Sequence, residues 1–193
     1  MQLTHPTQIR HASRARSRWN RRRALALTSA LLTLTATACG GDNPLAPGAA
    51  EGMGSLTTSG AVSTSGSGIA LFQSISSGGT SLFQIVVVPV SQATAATWQL
   101  QIVNYSGRLA VGTYQLSALS ATSLDPTANF YYTSGGAMSM FNSISGQLVI
   151  ISSSPSAVRG TFTFTGTSAT GSTGSVTANG SFNAQCAPGI TCQ

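Results

Sequence analysis

Arg159-Gly160-Thr161-Phe162-Thr163-Phe164-Thr165 alternates aromatic and hydroxyl side chains with a period of two. Successive side chains of a β-strand point to opposite faces, so this spacing puts Phe162 and Phe164 on an inner face and the three threonines on an outer one. Working outward, Val176–Phe182 follows after a Gly/Ser/Thr-rich turn at Gly166–Gly174 and is expected to return alongside it. Gly146–Ile151 precedes it, and Pro155 turns the chain between the two. Asn129-Phe130-Tyr131-Tyr132 pairs naturally with Ala137–Phe141 across Ser134-Gly135-Gly136. Further upstream, Thr97–Tyr105 alternates again, with Trp98, Leu100 and Ile102 on one face and Gln99 and Gln101 on the other.

The remaining runs fit the same picture. Leu82–Val90 is apolar on both parities, which predicts a strand covered on both faces, with Pro89 either ending it or placing it near an edge. Ala61–Thr64, Ile69–Ser74 and Gly112–Leu116 are shorter candidates, and Asp125-Pro126 reads as a turn. About nine or ten strands at regular spacing predict an all-β fold, a single antiparallel β-sandwich domain, with a β-barrel as the alternative.

The N-terminal part reads differently. Seven of the nine arginines precede Ala24–Ala38, an apolar run too short for the roughly 20 residues of a membrane-spanning helix. A basic segment, a short apolar segment and the small residues Ala36-Thr37-Ala38 are the parts of a secretory signal. Cys39 follows at once, and the order resembles a bacterial lipobox, with Ala36 where that pattern favours Leu. The resemblance implies lipid transfer to the Cys39 thiol, cleavage before it, and acylation of the new amino terminus. The expected organisation is a signal peptide at 1–38, a lipidated cysteine and flexible tether at 39–55, and an all-β domain at 56–193. The expected location is the cell envelope, at the outer membrane, with the membrane itself as a partner through the anchor.

Charge narrows the function. After Cys39 only Arg108 and Arg159 stand against Asp42, Glu51 and Asp125, a formal balance of −1, although the whole chain carries +6. Nucleic-acid binding needs a basic footprint, which this part of the chain lacks. It also lacks histidine and lysine, and its expected domain holds one acid, Asp125. A Ser-His-Asp arrangement, a carboxylate pair and the usual metal sites therefore have no residues to build them. The expectation is a protein that is not an enzyme and holds no metal or cofactor.

Cys186 and Cys192 enclose Ala187-Pro188-Gly189-Ile190-Thr191. In an exported chain the simplest reading is a disulfide across the Pro-Gly turn, with a redox or metal pair as the alternative.

From Gly112 onward the order Gly112-Thr113-Tyr114, Phe130-Tyr131-Tyr132, Gly160-Thr161-Phe162-Thr163-Phe164 and Asn179-Gly180-Ser181-Phe182 resembles an uncharacterised family of small β-rich bacterial lipoproteins. The resemblance implies an all-β domain and brings no site residues with it. In these motifs Asn179-Gly180 reads as a turn or bulge with positive φ. Two roles fit what remains. The first is a binding module for a glycan, a small apolar ligand or another protein, with Tyr105, Tyr114, Tyr131 and Tyr132 as contact residues and Arg159 as an anchor for a carboxylate. The second is a structural or assembly component of the envelope with no small ligand, its tyrosines in the core.

Overall fold

The computed structural model describes residues 50–90, 96–118, 124–170 and 173–193; Cys39, the expected signal peptide and most of the stretch read as tether lie outside them. Nine strands follow in order: β1 (Met53–Gly60), β2 (Thr64–Ser77), β3 (Thr80–Pro89), β4 (Ala96–Asn104), β5 (Gly112–Gln115), β6 (Thr127–Ser134), β7 (Ala137–Ser153), β8 (Ala157–Ser168) and β9 (Ser175–Cys186). β1 opens at Met53, inside the stretch read as tether. The hairpin between β6 and β7 turns at Gly135 and Gly136, with φ of 57° and 80°, a left-handed pair that glycine adopts without strain.

The strands do not form a sandwich. Neighbours run β7-β6-β4-β3-β2-β1-β9-β8, and β8 pairs back onto β7, so eight strands close into an antiparallel barrel. First and last strands meet along Met53↔Asn183 to Gly60↔Val176. Where β1 has not yet begun, β2 and β9 touch directly through a short parallel pairing, Leu71↔Gln185 and Phe72↔Cys186. β5 takes over from β6 along the same edge of β7, continuing the wall beside the second half of that strand from Gly112↔Ile150 to Gln115↔Gln147. The expected sandwich fails for a physical reason. Both architectures demand the same alternation, and what separates them is a pairing between segments 126 residues apart, such as Ser55 with Ser181. Closure removes the free edges that a sandwich leaves. Register shifts in β7 between Ser143 and Ser145 and between Ile150 and Ser152 help the long strand bend around the ring.

The interior is filled by side chains. Phe72, Phe83, Phe130, Phe141, Phe164 and Phe182 are buried with Leu100, Ile102 and Leu148 between them. Phe130 packs on Phe141 with ring centroids 6.1 Å apart. Small residues make the room. Across β8 and β9, Phe162 faces Gly180 and Gly160 faces Phe182. A Cβ on Gly180 would meet the Phe162 ring at 2.6 Å and run into the Ser55 carbonyl; one on Gly160 would meet the Phe182 ring at 2.8 Å. Each ring thus occupies the space over the glycine opposite it, a cross-strand device known to rescue strand glycines. Gly180 therefore sits mid-strand in β9, not in the turn or bulge its Asn-Gly context predicts.

Other expectations resolve strand by strand. Phe162 and Phe164 point inward and Thr161, Thr163 and Thr165 outward, as do Trp98, Leu100 and Ile102 against Gln99 and Gln101. β3 is not covered on both faces: Phe83, Ile85 and Val87 are buried, whereas Val86 and Val88 are half-exposed on the outer wall. That wall has two characters. On β8, β9 and β1 it presents Thr163, Thr177, Asn179 and Thr57; on β2 and β3 it presents Ile69, Leu71, Val86 and Val88. The apolar interior is the reverse of a porin-like barrel, whose lumen is polar. No helix among the described residues is long and apolar enough to cross a membrane.

The two ends are closed differently. At the end carrying the β4–β6 connection, Leu109 and Leu116 are buried beneath the strands. They are held by Ser153 Oγ donating to Leu109 O at 2.8 Å and Leu116 N–H donating to Gly146 O at 2.9 Å. Beside them Cys186 and Cys192 form a disulfide, and Ala187 N–H donates to Phe72 O at 2.8 Å, so the C-terminal tail is tied to β2. Closing a loop this small stabilises by about 2 kcal/mol in the chain-entropy picture. Reduction is expected to lower stability by about that amount in urea unfolding while leaving the far-ultraviolet β-spectrum intact. Loss of the β-spectrum on reduction would show instead that the barrel depends on this clip.

Candidate functional site: a groove on the outer wall

The sequence-derived contact residues are not brought together. Tyr105 is exposed in the turn after β4, 59% accessible, at the disulfide end. Tyr114 lies on β5, where its hydroxyl donates to Ala110 O at 2.9 Å. Tyr131 and Tyr132 are consecutive in β6 and therefore point to opposite faces: Tyr131 outward, Tyr132 inward toward Phe130, with centroids 6.4 Å apart. Arg159 is half-buried on β8 opposite Asn183 and Ser152, two strands from Tyr131 and nearer the disulfide end. Its Nη2 is buried without a hydrogen-bond partner.

What the fold does assemble is a groove of about 390 Å³ on the outer wall. β4 supplies Thr97, Gln99 and Gln101, the outward half of its alternation. β6 supplies Tyr131 and Thr133, directly opposite in the ladder: Gln99↔Tyr131 and Thr97↔Thr133. Met138 of β7 pairs with Thr133 and closes one side; Val88 and Pro89 of β3 close the other. The Tyr131 hydroxyl donates to Gln101 Oε1 at 3.2 Å, which fixes the carboxamide and leaves its Nε2 hydrogens uncommitted by that contact. No lining residue is charged. Sequence alternation already placed Gln99 and Gln101 on the face opposite Trp98, but the outward position of Tyr131, and that β4 lies beside β6 and not beside β5, are facts of the fold.

A second hollow of about 500 Å³ lies at the barrel end away from the disulfide, over Gly66, Ala96, Trp98 and Tyr132. The Trp98 indole lies across Gly66, where a Cβ would meet it at 3.6 Å, and is itself only 7% exposed. Trp98 and Tyr132 thus floor this hollow and separate it from the phenylalanine interior. Among the described residues no three His, Cys, Asp or Glu side chains gather to form a metal-binding group. In comparisons with known proteins, no family model, no curated protein and no solved structure matches the chain.

Proposed function

We propose that this protein is a lipid-anchored structural or assembly component of the cell envelope, without catalytic activity, whose barrel makes its contacts through its outer wall and carries no small ligand inside. The observation that carries this reading is the packing of the barrel. Eight-stranded barrels are just wide enough either to be filled by side chains or to hold one small ligand. Here the inward positions of β2, β3, β6, β7 and β9 hold Phe72, Phe83, Phe130, Phe141 and Phe182, all buried. The dispersed tyrosines support the same reading, because four aromatics at separate places do not make one ligand pocket.

The anchor sets the working range. Between Cys39 and Ala50, the first described residue, an extended chain reaches about 40 Å at most. A barrel so tethered meets partners only near the membrane surface. Cys39→Ala tests the anchoring directly. The variant is expected to accumulate as uncleaved precursor, while the wild type is processed and partitions with the envelope membranes. Normally cleaved, soluble protein from the variant would overturn the lipid anchor.

A further inference from the structure

We infer that the groove between β3, β4, β6 and the start of β7 holds a segment of an uncharged glycan chain. The inference rests on the reading that the outer wall makes the protein's contacts, and it names the chemistry of one such contact. Val88, Tyr131 and Met138 offer apolar surface; Gln99, Gln101 and Thr133 offer amide and hydroxyl groups among them. A hydrocarbon would cover those polar groups without satisfying them, at about 1–3 kcal/mol for each one left unpaired. An ionised ligand would find no counter-charge in the lining. An extended peptide gains most from adding to a free strand edge; β6 pairs on both edges here, and the β3–β4 ladder ends at Val87↔Leu100, leaving only Val88 and Pro89 of β3 beside β4, the second without an N–H to donate. A pyranoside matches what is left. Its C–H face suits an aromatic ring and thioether, and its hydroxyl rim both donates to and accepts from carboxamides. Gln99 and Gln101, two residues apart on one strand, place their amides about 7 Å apart along the wall. The groove is open to solvent, so a longer chain can run on past it.

The test uses the processed, full-length lipoprotein in detergent micelles. Binding is read as heat by isothermal titration calorimetry, because the Trp98 indole faces inward over Gly66. The titrants are short oligosaccharides of glucose and of N-acetylglucosamine, an anionic uronic-acid oligosaccharide, and neutral phosphatidylcholine vesicles. The neutral sugars are expected to give a saturable heat of binding, and the uronic-acid oligosaccharide and vesicles are not. Tyr131→Ala and Gln101→Ala are expected to weaken the response at least about ten-fold. Both positions lie on the outer wall, and unchanged thermal melting confirms that each variant folds. Thr163→Ala, on the outer face of β8 and outside the groove's lining, is expected to bind as wild type. No response to either neutral sugar, a response that survives both groove substitutions, or a stronger response to the anionic sugar or to vesicles would each overturn the proposal. The Cys39→Ala experiment reads processing and partitioning alone, so a failed groove leaves the anchored-component reading standing and a failed anchor leaves the groove testable.

Discussion

Gly180→Val is expected to destabilise the barrel by about 3 kcal/mol or more, a large share of the roughly 5–15 kcal/mol that holds a domain folded. The cost comes from one point in space. The added Cβ would run into the Ser55 carbonyl and approach the Phe162 ring to 2.6 Å. Overpacking is least forgiving where the obstacle is backbone, and Ser55 belongs to the β1–β9 ladder that closes the ring. Neither neighbour can yield cheaply: moving Ser55 opens the closure, and moving Phe162 pushes it toward Phe164, 6.3 Å away by ring centroids. Gly112→Ala is the control, because a Cβ there meets only the Tyr114 side chain at an ordinary 3.7 Å. It is expected to change stability by less than about 0.5 kcal/mol. Urea unfolding of the three proteins decides the matter. A Gly180→Val cost below about 1 kcal/mol would mean that the Phe162 ring does not lie over Gly180.

That glycine also marks where reading the sequence reaches its limit. The alternation in Gly160–Thr165 dictates which side chains face in, because the strand period is two whatever the strand's neighbours are. The same local rule yields the β6–β7 hairpin from Ser134-Gly135-Gly136 and the β8–β9 pairing across a turn-rich loop. It does not reveal that Val176–Gly60 pairing closes a ring, since a sandwich and a barrel ask the same of each strand. Nor does it reveal why Asn179-Gly180 sits mid-strand. In isolation Asn-Gly is a turn signal; only the ring of Phe162 across the ladder makes glycine a requirement of packing there. β3 misleads for a related reason. Its valines on both parities suggest two covered faces, whereas the outer half joins Ile69 and Leu71 in an apolar stretch of exposed wall. The candidate site was legible in part. Gln99 and Gln101 face outward by alternation, but grouping Tyr131 with Tyr132 ignored that adjacent strand residues diverge.

Phe130→Ala is expected to cost about 3–5 kcal/mol and to turn a filled barrel into one that takes up an apolar guest. Phe130 is fully buried, with Phe141 and Tyr132 rings at 6.1 and 6.4 Å. Removing it leaves a hole lined by apolar side chains on the stiff wall of a closed ladder, which cannot collapse to fill it. Such cavities stay dry and bind benzene. Saturating benzene is therefore expected to raise the melting temperature of Phe130→Ala, by the linkage that stabilises any state a ligand prefers, and to leave wild type unchanged. The comparison bears on function as well as packing. A barrel that carries a small apolar ligand has room for one before any substitution; a barrel built to present its outer wall has none until a ring is cut away. An equal benzene-induced rise in wild type would place a cavity inside the native barrel and return the interior to consideration as the binding site. A rise confined to the variant leaves the wall, and the groove of Gln99, Gln101 and Tyr131 upon it, as the surface through which the barrel acts.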